Sequence, residues 1–250
     1  MESFIGWMGG KRALRKTILA RFPPPHEYGR YIEVFGGAGW VLFGREPQPQ
    51  QLEVFNDFDG DLINLYRCIK YHCNALVEEL DGLCHSRELF LDIKSQLQAR
   101  GLTDIQRAAR YYCLIRFSFG CGRSSFHTSH IDFERMYKAL HIIQARLRKT
   151  VIEQLDFGQL IHTYDRADAL IYCDPPYMGA EQYYDGGFAV DDHNRLAAAL
   201  RGVKGKFLLS YNDCPEVRSL YAGYKIEEVS RHNALSSKST TYHELLISNY

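Results

Sequence analysis

A short segment near position 174 places a carboxylate, two prolines and an aromatic ring directly after an apolar run. It reads Asp174-Pro175-Pro176-Tyr177. The preceding residues 169–173 have the length and apolar character of a buried parallel strand, and two successive prolines prevent that strand from continuing. Open α/β sheets bind ligands at the carboxyl ends of their strands, so this segment is predicted to lie in a binding site.

The residue types of this segment suit a flat base that carries an exocyclic amino group. The nitrogen of such an amine is a poor nucleophile, because its lone pair is delocalised into the ring. Asp174 and the main-chain carbonyl of Pro175 can accept its two N–H bonds, which positions the nitrogen and directs its lone pair. Tyr177 can stack on the base, and such a stack contributes roughly 1–3 kcal/mol. The alternative is an ordinary Pro-Pro turn with Asp174 as a turn residue and Tyr177 as a packing residue.

A glycine-rich turn is the second candidate site. Residues 31–35 read as a strand, and Gly36, Gly37 and Gly39 follow at once, where the backbone must turn tightly against a ligand. The spacing differs from the dinucleotide-binding pattern, and no Gly-Lys-Ser/Thr follows to form a phosphate loop. A nucleotide-like ligand without a pyrophosphate fits better, and S-adenosylmethionine is such a ligand.

A second strand-like run, residues 52–56, ends at Asp57. An acidic residue about twenty positions beyond a glycine turn suits the hydroxyls of a ribose. From the residues alone, Asp57 is equally compatible with an ordinary turn.

Three segments together resemble the Dam-type DNA adenine N6-methyltransferases, which carry them in this order. They are residues 6–12 (Gly-Trp-Met-Gly-Gly-Lys-Arg), residues 34–40 (Val-Phe-Gly-Gly-Ala-Gly-Trp) and residues 174–177. The resemblance implies a Rossmann-like class I methyltransferase fold, S-adenosyl-L-methionine as cofactor and double-stranded DNA as partner. It also implies methyl transfer to the N6 amine of a flipped-out adenine, by default in a short palindrome such as GATC. The resemblance covers both ends of the chain and fades between about residues 85 and 150.

The resemblance also assigns roles to single residues. It puts Asp57 at the ribose and Lys11 near the methionine carboxylate, and it leaves Asp59 and Asp61 as turn and helix-capping residues. Asp156 resembles the first residue of the family's adenine-binding step, and capping of a following helix is an equal alternative for its side chain. The catalytic set is Asp174, Pro175, Pro176 and Tyr177. The cofactor set is Trp7, Gly9, Gly10, Lys11, Phe35, Gly36, Gly37, Gly39, Asp57, Asp156 and Phe157.

The middle of the chain is basic and reads as helical. Residues 61–150 contain 14 Lys and Arg against 9 Asp and Glu, although the whole chain has no net charge. Apolar residues recur every three or four positions over 62–80 and 136–147, and a capping box at 103–106 predicts another helix running towards Arg116. We therefore expect an inserted, mainly helical DNA-recognition segment at 61–150. Residues 1–60 and 151–250 would form the catalytic domain.

The loop at 116–129 mixes arginines, hydroxyls and aromatic rings with two glycines, which suits contacts to phosphates and base edges. The loop is shorter than is usual in Dam enzymes. The alternative is a plain surface loop with Phe117 and Phe119 turned inward. The expected DNA-binding set is Arg116, Arg123, Ser124, Ser125, Lys138 and Arg146.

Seven strand-like runs predict an α/β fold with a seven-stranded mixed sheet. The runs are residues 31–35, 52–56, 151–154, 169–173, 207–211, 224–229 and 243–249. Residues 178–188, with glycines at both ends, suggest a mobile lid or an ordered surface loop. A helix is expected over 194–200.

Composition narrows the class of protein further. A chain of 250 residues with 46% hydrophobic and 24% charged residues is typical of a globular protein, and no apolar run is long enough to span a bilayer. Seven cysteines without a Cys-x-x-Cys pair, and histidines without ligand spacing, predict neither disulfides nor a metal site. We expect a cytoplasmic monomer encoded by a bacterium, an archaeon or a phage. The alternatives are methyl transfer to RNA or to a protein glutamine, and a non-catalytic DNA-binding module with a methyltransferase shell.

Overall fold

A seven-stranded mixed sheet forms the centre of the structure. The structure is a computed structural model that describes residues 1–97, 99–180, 188–232 and 241–250, so the predicted lid at 178–188 lies mostly outside the described residues. The strands are β1 Arg30–Glu33, β2 Leu52–Asn56, β3 Thr150–Glu153, β4 Ala169–Cys173, β5 Lys206–Asn212, β6 Lys225–His232 and β7 Thr241–Ser248. Their order in the sheet is β3-β2-β1-β4-β5-β7-β6. The first five are parallel and β7 is antiparallel to both of its neighbours, which confirms the predicted fold class.

The parallel strands read as apolar runs because both faces of the sheet are covered. Successive side chains of a strand point to opposite faces. In β4, Leu170 and Tyr172 belong to one hydrophobic core, and Ile171 and Cys173 belong to the other. All residues of β4 are buried, as expected for a central strand of a parallel sheet.

Helices cover both faces of the sheet. Those described are α1 Arg15–Leu19, α2 Trp40–Gly44, α3 Gly60–Asp81, α4 Arg87–Gln96, α5 Asp104–Arg116, α6 Phe133–Leu147, α7 Phe157–Tyr164, α8 Val190–Arg201 and α9 Pro215–Leu220. The predicted capping box opens α5, where Thr103 Oγ1 accepts from the Gln106 amide at 3.2 Å and Gln106 Oε1 accepts from the Thr103 amide at 3.1 Å. The predicted apolar stripes of α3 and α6 are buried. Helix α8 begins at Val190 rather than at 194, and α4 was not predicted.

The helices of residues 61–150 share a core with the sheet. Leu62 and Tyr66 of α3 and Leu140 of α6 belong to the same buried cluster as Phe55 of β2 and Tyr172 of β4. The proposed recognition segment is therefore packed on the sheet along its helices. Its division from residues 1–60 and 151–250 stays a prediction.

Arg146, one of the predicted DNA-binding residues, lies in a buried ion pair. Its side chain is only 7% exposed, and its guanidinium donates to Glu53 at 2.6 and 2.8 Å and to the Leu42 carbonyl at 3.0 Å. Glu53 also pairs with the buried Arg45. Arg146 therefore forms a buried ion pair that joins the end of α6 to β2. A count of basic residues in the sequence does not show which side chains face solvent and which are paired inside the protein.

The start of β3 shows at which edge of the sheet α6 ends. Thr150, which starts β3, follows three residues after α6 ends at Leu147. Because β3 runs in the same direction as β4, residues 146–149 lie at the amino ends of the strands. Asp174 follows the carboxyl end of β4, at the opposite edge of the sheet.

Within the described part of the chain, no helix has the length and apolarity needed to cross a membrane.

Candidate active site

A cavity of about 980 Å³ lies at the carboxyl ends of β1 to β4. Strand β1 has β2 on one side and β4 on the other, so the connections diverge at this point, which is where open α/β sheets form ligand crevices. The four catalytic candidates at 174–177 line the cavity. So do all the predicted cofactor residues except Gly39, namely Trp7, Gly9, Gly10, Lys11, Phe35, Gly36, Gly37, Asp57, Asp156 and Phe157. The fold thus gathers segments that are far apart in the sequence.

Asp174 lies in this cavity with two direct side-chain partners. Its Oδ1 atom lies 2.6 Å from Lys11 Nζ and accepts a hydrogen bond from Ser210 Oγ at 3.0 Å. Burial raises the pKa of Asp174 above its usual value, and the Lys11 ammonium opposes that rise. The carboxylate is therefore held in a site of low exposure by a cation.

Tyr177 is fixed at its hydroxyl end. The hydroxyl donates to Oε2 of Glu244, a β7 residue whose side chain is 3% exposed. The Lys11 ammonium lies 4.7 Å from the centre of the Tyr177 ring and donates to the Gly9 carbonyl at 3.0 Å. Burial raises the pKa of Tyr177 well above its usual value, so the phenol remains protonated and acts as a donor.

Asp57 fastens the glycine turn. Its Oδ2 atom accepts from the Gly37 amide at 2.8 Å and its Oδ1 atom accepts from the Asp59 amide at 2.9 Å. Gly37 has a φ of 49°, and a Cβ there would lie 2.8 Å from the Trp7 ring, so both conformation and packing require glycine. Gly39, with a φ of 67°, precedes α2 behind the cavity wall.

The side chains of Asp59 and Asp156 both cap helices. Asp59 caps α3 by accepting from the amides of Asp61 and Leu62, both at 3.0 Å, as the resemblance implied. Asp156 caps α7 by accepting from the Gly158 amide at 2.9 Å, which was the alternative open for it. The neighbouring Phe157 ring packs against Phe35 and Phe188 at the cavity wall.

Sequence reasoning missed Glu33, which lines the cavity, and also Ser210 and Glu244, which contact Asp174 and Tyr177. Glu33 ends β1, is buried, lines the cavity and accepts from the Tyr31 hydroxyl at 2.6 Å. Burial raises the pKa of Glu33 to about 8. The available signal was an acidic residue within an otherwise apolar strand, three positions before Gly36 of the glycine turn.

The predicted DNA-binding residues divide into separate groups. Arg123 and Ser124 line the cavity, and Arg123 donates to the Tyr111 hydroxyl at 2.8 Å and lies over the Trp7 ring. Arg116, Ser125 and Lys138 are exposed outside it, and Lys138 pairs with Glu134 on the same helix at 3.1 Å.

The loop at 116–129 differs from the plain surface loop considered as the alternative, in which both Phe117 and Phe119 would be turned inward. A bridge between Ser118 and Phe126 closes it. Phe117 is buried beneath the loop, whereas Phe119 is 67% exposed. One of the two aromatic rings is therefore an anchor and the other faces solvent.

No cluster of three or more His, Cys, Asp or Glu side chains with the arrangement of a metal site occurs among the described residues.

Fold and cavity together define a Rossmann-like α/β methyltransferase. Residues 7–235 match the sequence model of the D12 class N6 adenine-specific DNA methyltransferases, and the chain belongs to this family. The predicted family and enzyme class are thereby confirmed. Among the expected alternatives, the family favours DNA over RNA and protein.

Relatives from three sources support the same class. A type II methyltransferase from Lactococcus lactis subsp. cremoris is 29% identical, with 100% of this chain and 96% of the relative covered. A DNA adenine methylase from Vibrio cholerae is 27% identical, with 94% and 90% covered. A type II methyltransferase from Methanocaldococcus jannaschii is 26% identical, with 100% and 99% covered.

The buried carboxyl of Glu33 generates a prediction about stability. Folding raises its pKa from 4.5 to about 8, so between these values the folded protein keeps a proton that the unfolded chain has released. The free energy of unfolding therefore falls as pH rises through this interval. We expect Glu33→Gln to remove this component, so that the variant gains stability relative to the unmodified protein between about pH 5 and about pH 8. Urea unfolding at both pH values measures it, and parallel pH profiles of the two proteins would contradict it.

Proposed function

We propose that this enzyme transfers a methyl group from S-adenosyl-L-methionine to the N6 amine of an adenine in double-stranded DNA, with residues 174–177 as the catalytic segment. One observation carries the proposal. The Lys11 ammonium contacts Asp174 Oδ1 at 2.6 Å and lies over the ring of Tyr177. The ammonium places an N–H donor beside this carboxylate and this ring, and the amino group of a base would present the same kind of donor. The site is thus suited to bind an amine between an acceptor and an aromatic face.

The cavity has suitable dimensions and walls for the cofactor. Its volume of about 980 Å³ lies within the range of small-molecule sites, roughly 300–1,000 Å³. Neighbouring strands lie about 4.8 Å apart, so the ends of β2 and β4 are separated by roughly 10 Å. We assign Asp57 to the ribose, Phe157 to the adenine of the cofactor, and the turn at residues 7–11 to the methionine part. The cofactor supplies a methyl group that its sulfonium already activates, so the protein needs no covalent intermediate.

The catalytic segment acts by positioning and electrostatics. Asp174 and the Pro175 carbonyl accept the two N–H bonds of the target amine and direct its lone pair towards the methyl group. Pro176 keeps the segment out of the strand, and Tyr177 stacks on the base. The target must leave the duplex to reach the cavity, which costs a few kcal/mol of stacking and pairing.

Within the segment 61–150, recognition of DNA is assigned to the end of α5 and to the loop at 116–129, which lie on the side of the cavity. Tyr111 of α5 donates to Asp59 at the start of α3, so the end of α5 at Arg116 extends along this side. The following loop reaches the cavity through Arg123 and Ser124. We keep GATC as the default target and assign its reading to this loop.

Replacing the catalytic carboxylate separates chemistry from cofactor binding. Asp174→Ala should slow single-turnover methyl transfer about 100-fold or more, since loss of one preorganised stabilising group has this effect. Cofactor affinity should stay close to that of the unmodified enzyme, because the carboxylate is assigned to the base. Rapid-quench assays with labelled cofactor, and calorimetry of cofactor binding, measure the two effects. A variant with more than about a tenth of the original rate would remove Asp174 from the catalytic role.

Replacing Asp57 should have the opposite pattern. Asp57→Ala removes an ionised acceptor, and a hydrogen bond to a charged group contributes roughly 1.5–3 kcal/mol, so cofactor affinity should fall about tenfold or more. Burial raises the pKa of Asp57 to about 6. Cofactor binding by the unmodified enzyme should therefore weaken as pH falls through about 6, and this component should be absent in the variant. Calorimetry across this pH range tests both points, and unchanged affinity would exclude Asp57 from the site.

A matched pair of charge removals tests the DNA face. Arg116 ends α5, two residues after the cavity-lining Leu114, whereas Arg148 follows α6 at the opposite edge of the sheet, and both are exposed. Arg116→Ala should weaken DNA binding, either at all sequences with a salt dependence shallower by about one unit, or at one base pair by roughly 1–3 kcal/mol. Arg148→Ala removes the same charge and should leave binding unchanged. Fluorescence anisotropy with several duplexes and salt concentrations measures this, and equal losses in the two variants would refute the assignment.

A further inference from the structure

Glu244 is a buried acid in the wall of the site that the catalytic segment does not include. It lies on β7, in register with Asn212 of β5 and Val229 of β6, and its side chain is 3% exposed. A carboxylate this deeply buried is costly unless charged or hydrogen-bonding partners compensate it. A strand that only closes the sheet has no need of such a residue.

Its contacts lead directly to the catalytic segment. Glu244 Oε2 accepts the hydrogen bond of the Tyr177 hydroxyl and lies 3.9 Å from the Lys11 ammonium. The same ammonium lies 2.6 Å from Asp174 Oδ1. One buried cation is thus shared by two carboxylates, and the three side chains carry a net charge of minus one when all are ionised.

We propose that Glu244 is a positioning residue for methyl transfer, which holds the ring of Tyr177 and gives Lys11 a second carboxylate partner while Asp174 binds the substrate amine. This inference rests on the proposed function, since it takes Asp174 and Tyr177 as the groups that meet the base.

The contact with Tyr177 orients the stacking surface. Pro175 and Pro176 restrict the backbone before this residue, but the ring still turns about its own side-chain bonds. The hydrogen bond at the far end of the ring removes that freedom before the base arrives. Displacements of about 1 Å in such positioning groups are enough to slow a reaction roughly 100-fold.

The contact with Lys11 keeps a buried charge paired. Lys11 is 5% exposed, so its ammonium needs a carboxylate whenever Asp174 turns to the amine. Glu244 is already near enough to take that role. As the N–C bond forms and the C–S electron pair passes to sulfur, the attacking nitrogen becomes positive until it releases a proton to solvent. The Asp174 carboxylate, which accepts from the amine, stabilises that nitrogen.

Two substitutions separate the two contacts. Glu244→Gln keeps an oxygen acceptor for Tyr177 and removes only the charge, whereas Glu244→Ala removes both. At saturating cofactor and DNA we expect single-turnover rates lower by about tenfold for Gln and about 100-fold for Ala. In a Tyr177→Phe background the Gln and Ala variants should become equal, because no hydroxyl remains to be held. Cofactor affinity and the thermal midpoint, measured alongside, report any general loss of structure.

The fluorescent adenine analogue 2-aminopurine at the target position gives a readout independent of rate. Stacking on a fixed ring quenches its emission, so bound DNA should emit more strongly with Glu244→Ala than with Glu244→Gln or the unmodified enzyme. A purely structural Glu244 would instead give the same emission in all three proteins, and the Gln and Ala variants would still differ in rate in the Tyr177→Phe background. That result would overturn the inference.

The Asp174→Ala variant distinguishes a failure of this inference from a failure of the proposed function on which it rests. An active Asp174→Ala variant means that the proposed catalytic role has failed. An inactive one, together with Glu244→Gln and Glu244→Ala both at the original rate, means that only the positioning role has failed. Should Glu244→Ala not fold, Glu244→Gln decides: a tenfold loss with unchanged cofactor affinity supports the shared-charge role, and the original rate overturns it.

Discussion

The parallel pairing of β1 with β2 on one side and β4 on the other is the constraint on which the site depends. The register sets Glu33 of β1 beside Phe55 and beside Tyr172, so the three strands end at one level. The glycine turn, Asp57 and the segment 174–177 all emerge at that level and must meet. A slip of one residue would exchange the two faces of a strand and bury its wrong side chains, so the cores that hold the register also hold the site.

Burial of charge is the second constraint, and the carboxyls of the cavity meet it differently. Asp174 lies on the Lys11 ammonium, and Glu244 shares that cation and the Tyr177 hydroxyl. Glu33 relies on the hydroxyl of Tyr31, and burial raises its pKa to about 8. Glu33 is therefore largely protonated at neutral pH, whereas Asp174 and Glu244 each have the Lys11 ammonium nearby. Carboxyl groups with such different surroundings are typical of functional sites, where charged hydrogen-bond acceptors and uncharged wall residues have separate roles.

The sequence predicted the elements better than the partners of single side chains. Seven strands and the helices α3, α5 and α6 follow from apolar spacing and from a capping box, because these signals are local. Helix α4 was missed since only Phe90 and Ile93 of its residues are buried, which leaves too short a stripe. The burial of Arg146 was not foreseen, because a count of basic residues does not distinguish a solvent-facing guanidinium from one paired with Glu53. Glu244 became visible only through the antiparallel pairing of β7, which joins it to Tyr177 across a long separation in sequence.

The edge of the sheet at residues 174–177 and the loop at 116–129 are held in place by different interactions. The edge that carries residues 174–177 is fixed by strand pairing, buried aromatic rings and the Lys11 ammonium shared by Asp174 and Glu244. The loop beside it is anchored by the buried Phe117 and by the β-bridge from Ser118 to Phe126, while Ser125 and Phe119 are exposed outside the cavity. Its outward residues are free to change without disturbing Asp174. A binding specificity carried by a loop on a rigid scaffold can therefore vary among relatives that keep one chemistry, which is why the class of reaction follows from this fold more firmly than the DNA sequence it reads.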